Sequence, residues 1–91
     1  MKELIAGMSS AFESLRSKNQ DALFAFLLTD LDLGFTFVDM ARAGLVGDHR
    51  QKQKALEVVS AVKRFRGRLD PDMRRRVDVR LAELERAISM L

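Results

Sequence analysis

Residues 22–43 read ALFAFLLTDLDLGFTFVDMARA, the most apolar stretch of the chain and the one place where acidic residues sit among large hydrophobes. Taken as a helix, it sets Leu23, Phe24, Phe26, Leu27, Leu31, Leu33, Gly34, Phe37, Val38, Ala41 and, just beyond it, Leu45 on one arc of roughly 200°, about twice the stripe an ordinary surface helix needs. Such a helix has to be covered on both flanks, so the core is expected to form around it. Thr29, Asp32, Thr36 and Asp39 make the narrow polar strip that remains, whereas Asp30 falls on the other side, in line with Gly34 and Ala41.

Working outward, the flanking segments also carry helical patterns. On the N-terminal side Leu4, Met8, Ala11, Phe12 and Leu15 recur at helical spacing, and Ser10 with Glu13 has the form of a capping box. Ser17 with Gln20 gives a second start signal just before the central stretch, so a separate N-terminal helix laid against the central one is expected. A single helix over residues 10–43 is the alternative. On the C-terminal side Gly44 and Gly47 mark a stop, with Asp48 and Gln51 as a cap for the next start. A helix from about His49 to Arg66 follows, with Ala55, Val58, Val59, Val62, Phe65 and Leu69 on its apolar side.

Asp70-Pro71 is the sharpest boundary in the chain. It places an N-cap residue immediately before a proline at the first helical position, where the missing N–H costs nothing. The last helix then carries Met73, Val77, Leu81, Leu84, Ile88 and Leu91 on one stripe. Its short connection makes it the antiparallel neighbour of the helix before it. The expected fold is an all-α, small antiparallel helical bundle in one domain, with three main helices plus an N-terminal helical segment.

Composition narrows the function. The chain has 91 residues, no cysteine and one histidine, which removes disulfide and thiolate chemistry and nearly every Cys/His metal site. Asp30 and Asp32 interrupt the longest apolar run, so no membrane span is expected, the N-terminus does not read as a signal peptide, and a cytoplasmic protein is the default. Asp32 and Asp39 are about 10 Å apart along a helix, too far to share a metal or a proton, and His49 reads as an exposed residue at a helix start. No serine sits in a nucleophile elbow and the glycines are isolated. No catalytic, cofactor-binding or metal-ligating residue is therefore expected.

Three constellations remain. Asp30, an acid in an apolar arc, calls for a buried ion pair that fixes helix packing, with Arg64, Arg66, Arg74 or Arg76 as partner; removing it would then cost on the order of 3 kcal/mol. Charge is uneven: residues 1–46 sum to −2 and residues 47–91 to +5, and a basic patch of Lys63, Arg64, Arg66, Arg68, Arg74, Arg75, Arg76 and Arg80 surrounds the hairpin turn. Arginines in the first turns of a helix are one way to address a nucleic-acid groove, but no aromatic residue is interleaved and several acids stand within pairing distance. Finally, the wide apolar arc exceeds what one hairpin can hide, and a symmetric dimer covering Phe24, Leu28 and Phe35 would complete it. The expected function is a non-catalytic interaction module acting as a homodimer or with a partner protein. A nucleic-acid-binding accessory protein and a binder of a small acidic ligand are the alternatives.

Overall fold

The computed structural model describes residues 2–44 and 48–91, with the backbone alone for residues 2–10 and 48. Three α-helices follow one another: α1 (Lys2–Arg42), α2 (Asp48–Phe65) and α3 (Pro71–Ser89), with one turn of 3-10 helix, Arg66–Arg68, between the last two. No strand occurs among the described residues. The all-α expectation holds.

The first two expected helical segments are one. α1 runs unbroken for 41 residues, through both of the start signals read in the sequence. Those signals are local, and they act as helix ends only where something else bends the chain. Here residues 11–19 are all exposed, so no packing contact demands a break. At 1.5 Å per residue α1 is about 61 Å long, nearly the whole 65 Å length of a molecule only 20 by 15 Å across. The radius of gyration, 17.8 Å, compares with about 12 Å for a compact domain of this size. The excess is the N-terminal part of α1, which projects beyond the hairpin.

α1 stops where the sequence places the stop. Gly44 takes φ +67°, the left-handed region that glycine enters without strain. The Ala43 N–H donates to the Asp39 carbonyl (3.0 Å) and the Gly44 N–H to the Ala41 carbonyl (3.1 Å). Residues 45–47 and the Asp48 side chain lie outside the described residues, and with them Leu45, Gly47 and the cap assigned to Asp48. At the other turn Pro71 opens α3 with Asp70 as its N-cap residue. The Asp70 side chain makes no cap hydrogen bond; it accepts from Arg16 on α1 instead, at 3.3 Å.

α2 and α3 form the antiparallel hairpin and press on the C-terminal half of α1. Leu27, Leu31 and Val38 of α1 meet Ala55, Val58, Val59 and Val62 of α2, Leu69 of the turn, and Val77, Leu81, Leu84 and Ile88 of α3, all buried. Gly34 marks the closest approach: a Cβ there would lie 2.6 Å from Leu84 Cδ2 and 3.2 Å from Val58 Cγ1. Both hairpin helices therefore reach the α1 backbone at one level. The turn is held to α1 by Gln20, whose side-chain amide donates to the Arg68 carbonyl and accepts from the Asp70 N–H, each at 2.8 Å. Gln20, read in the sequence as part of a helix start, fastens the hairpin turn.

Candidate functional site

Two helices cover one side of α1 and leave the rest of its apolar arc bare. Phe12, Leu15, Phe26 and Leu33 are 66%, 57%, 57% and 46% exposed. Phe12, Phe26 and Leu33 stand multiples of seven residues apart with Leu15 one step on, so they share a face in the manner of a coiled-coil seam. The line extends about 32 Å. Among the described residues the other large exposed apolar side chains, Leu56, Val79, Met90 and Leu91, are scattered over α2, α3 and the end of the chain.

The stripe borders a shallow groove between α1 and α2, lined by Asp30, Leu33, Phe37, Lys54, Glu57, Val58 and Ala61. The Lys54 ammonium lies 5.5 Å from the centre of the Phe37 ring across it. This combination was only half legible in the sequence. The excess of apolar arc was visible, but the edge left bare depends on where the hairpin sits. Phe24, Leu28 and Phe35, the residues expected at an interface, are partly buried and pack against the core within the chain. Phe35 is covered by the Arg80 guanidinium, 4.5 Å from the ring centre.

The expected buried pair of Asp30 does not form. Asp30 is only partly buried, no charged residue is buried among the described residues, and none of Arg64, Arg66, Arg74 and Arg76 reaches it. The physical reason is azimuth: Asp30 points to the edge where α1 meets α2, into a groove that none of those arginines lines. A carboxylate so placed contributes under about 1 kcal/mol to the stability of the single chain, not the 3 kcal/mol of a buried pair. Its neighbour Asp32, on the polar strip, is the acid that reaches the hairpin, at 3.3 Å from Arg80.

Several of the basic residues around the hairpin turn have acidic or aromatic neighbours. Lys63 pairs with Glu85 at 3.0 Å, Arg75 with Asp72 at 3.7 Å, and Arg80 with Glu83 at 2.8 Å as well as with Asp32. Arg66 binds Asp78 through two hydrogen bonds, the Nη2 one at 2.7 Å. Arg64 and Arg68 flank the Phe65 ring at 5.6 and 5.2 Å. Among the described residues Arg74 and Arg76 have no ion pair. Carboxylates one turn away, or directly across the hairpin, thus pair with Lys63, Arg66, Arg75 and Arg80.

The Arg66–Asp78 pair ties α3 to the 3-10 turn that follows α2 and has a pH signature. The hydrogen bond from Arg66 holds the Asp78 carboxyl below its ordinary pKa, against a smaller opposing effect of burial, with Arg74 adding a weaker pull in the same direction. A carboxyl depressed on folding stabilises the protein above its unfolded pKa, and that contribution disappears as pH falls through the folded one. We expect Asp78→Asn to be less stable than wild type at neutral pH, with the gap closing as pH falls through the lowered pKa of the folded carboxyl. Urea titrations across that range measure it; a gap independent of pH would show that Asp78 acts through shape alone.

Among the described residues no group of three acidic or histidine side chains could hold a metal ion, and no helix is long and apolar enough to cross a membrane. His49 is exposed on the first turn of α2. No family model matches the chain, and no curated protein or solved structure is detectably similar to it.

Proposed function

We propose that this chain is a small, non-catalytic helical interaction module that associates with a second copy of itself through the free face of α1. One observation supports this reading above the others: Phe12, Leu15, Phe26 and Leu33 stand exposed in a single line along the helix. Apolar side chains scattered singly need no explanation, but four aligned on one helix face favour an interaction surface. A lone helix the length of the projecting part of α1 is marginal in water, which adds a second reason for it to be covered. The same reading keeps the protein in the cytoplasm, the setting that a cysteine-free chain suits. Light scattering at micromolar concentration tests it: we expect about twice the 10.3 kDa chain mass, and a clean monomer throughout that range would remove the proposal.

Nucleic-acid binding is the second reading, favoured by the net charge of +3 and by the unpaired Arg74 and Arg76. Since most of the surrounding cations already have carboxylate or aromatic neighbours, few phosphates could be neutralised. We expect weak, sequence-independent association with a duplex at low salt that collapses on adding salt. Fluorescence anisotropy measures this, and tight binding to one sequence at physiological salt would reverse the order of the two readings.

A further inference from the structure

We infer that two copies of this chain pair antiparallel along α1, so that the projecting arm of each lies in the α1–α2 groove of the other and brings its Arg16 to the second copy's Asp30. The inference rests on the self-association proposed above and specifies its geometry.

Self-complementarity of the stripe is the first argument. Between the exposed apolar residues the seam carries Asn19, Ala22 and Thr29 at the remaining core positions of the heptad pattern. Set antiparallel about a two-fold axis level with residue 24, Leu15 of one copy faces Leu33 of the other, Ala22 faces Phe26, and Asn19 faces Thr29. Phe26 then meets the small Ala22, the aliphatic layer meets itself, the two polar residues meet each other, and Phe12 lies over Thr36 at the end of the seam. In a parallel pair the polar and aliphatic residues would also meet their own kind, but Phe26 would face Phe26 and Ala22 would face Ala22, so the match of large to small is lost.

Charge supplies the second argument. Arg16 and Lys18 flank the stripe in its N-terminal half, Asp30 and Asp32 in its C-terminal half. Antiparallel helices bring matching edges together, and flanking charges set the orientation of paired helices. Arg16 then faces Asp30 of the second copy and Lys18 faces Asp32, each twice by symmetry. Side by side in parallel, Lys18 would face Leu23 and Asp32 would face Phe37, and no ion pair would form. Moving the antiparallel pair by one heptad loses the Arg16–Asp30 pair in either direction, and keeps at most a Lys18–Asp39 contact.

The groove is the third. Asp30 and Leu33 both line it, so the same placement that seats Leu15 of the arm on Leu33 delivers Arg16 to Asp30. The partly buried acid that has no arginine within its own chain acquires one from the second copy. Arg16 gives up only its pair with Asp70, in which both side chains are well exposed, an interaction of small worth.

A chain without cysteine allows a clean cross-linking test. Leu15→Cys and Leu33→Cys each replace an exposed side chain, so folding is not at stake, and circular dichroism verifies it. On mild oxidation we expect the mixture of the two variants to form the 15–33 disulfide at least ten times faster than Leu15→Cys alone forms 15–15. Preferential 15–15 cross-linking, or dimers with no 15–33 link, would overturn the antiparallel inference while leaving self-association intact. A wild-type monomer would remove both. Charge reversal is a second route that introduces no thiol. Arg16→Glu and Asp30→Arg should each weaken dimerisation about fivefold or more, and the double variant should return to within about twofold of wild type. A double variant no better than the singles would also overturn it.

Discussion

Leu84→Ala is expected to destabilise the protein by about 3–4 kcal/mol, the largest effect of any single truncation, lowering the melting temperature by upwards of about 12 °C in a chain of this size. Leu84 is fully buried, at the level where α3 meets α1. Its Cδ2 and Cδ1 lie 2.6 and 3.4 Å from where a Gly34 Cβ would be. Truncation removes atoms from a region closed on every side, and the glycine opposite has no side chain with which to fill the gap. The same geometry makes the effect of Gly34→Ala depend on its partner. In wild type, alanine's better helix propensity, roughly 1 kcal/mol, is offset by the collision with Leu84; in the Leu84→Ala background the collision is gone and the new methyl occupies the void. We therefore expect Gly34→Ala to be neutral or harmful alone and stabilising in the double variant, with a coupling of about 1 kcal/mol or more. Chemical denaturation of the four proteins measures it, and simple additivity would mean that α1 and α3 do not touch as described.

Replacing Phe26 and Leu33 together by Asp should lower the association constant at least 100-fold while leaving the chain folded. Both side chains are about half exposed in the single chain, so their polar replacements disturb little of its core. In the pair each is covered, twice by symmetry, and a buried apolar side chain of this size is worth about 1.5–3 kcal/mol. Four aspartates in one seam add mutual repulsion. Because a dimer gains stability by mass action, the melting temperature of wild type should rise with protein concentration and that of the double variant should not. Analytical ultracentrifugation together with melting curves at two concentrations reads both effects. A double variant that still dimerises with wild-type affinity would place the interface elsewhere.

Much of the architecture was legible because it rests on local chemistry. Asp70-Pro71 and Gly44 act within a turn or two of themselves, and the stripes of α2 and α3, from Ala55 to Val62 and from Val77 to Ile88, lie buried where the periodicity puts them. Errors arose where the outcome depends on distant neighbours. The polar residues from Ser17 to Asp21 have the composition of a helix start but lie on a stretch that nothing bends, and α1 passes through them. Periodicity gave Asp30 a direction without saying how far α2 would reach, so a residue at the edge of a groove read as one inside a core. For Arg66 the partner sits 12 residues away across the turn, a separation that no rule of three or four residues anticipates. The excess apolar arc was correctly seen, yet its bare edge follows Phe12, Leu15, Phe26 and Leu33 rather than Phe24, Leu28 and Phe35, since α3 and Arg80 cover the latter side.

Gln20 bears on how α1 can slide. Core side chains interdigitate, and Leu84 and Val58 seated against Gly34 already resist an axial shift of α1. A slip of one residue would move Gln20 by about 1.5 Å and turn it by about 100°, breaking its bonds to the Arg68 carbonyl and the Asp70 N–H at once. Both groups belong to the turn that joins the other two helices, so one amide acts as a detent that locks the axial position of α1 against the hairpin as a whole. With that detent engaged, the offset between the arm and the groove is a constant of the molecule, which is what the proposed antiparallel pair requires.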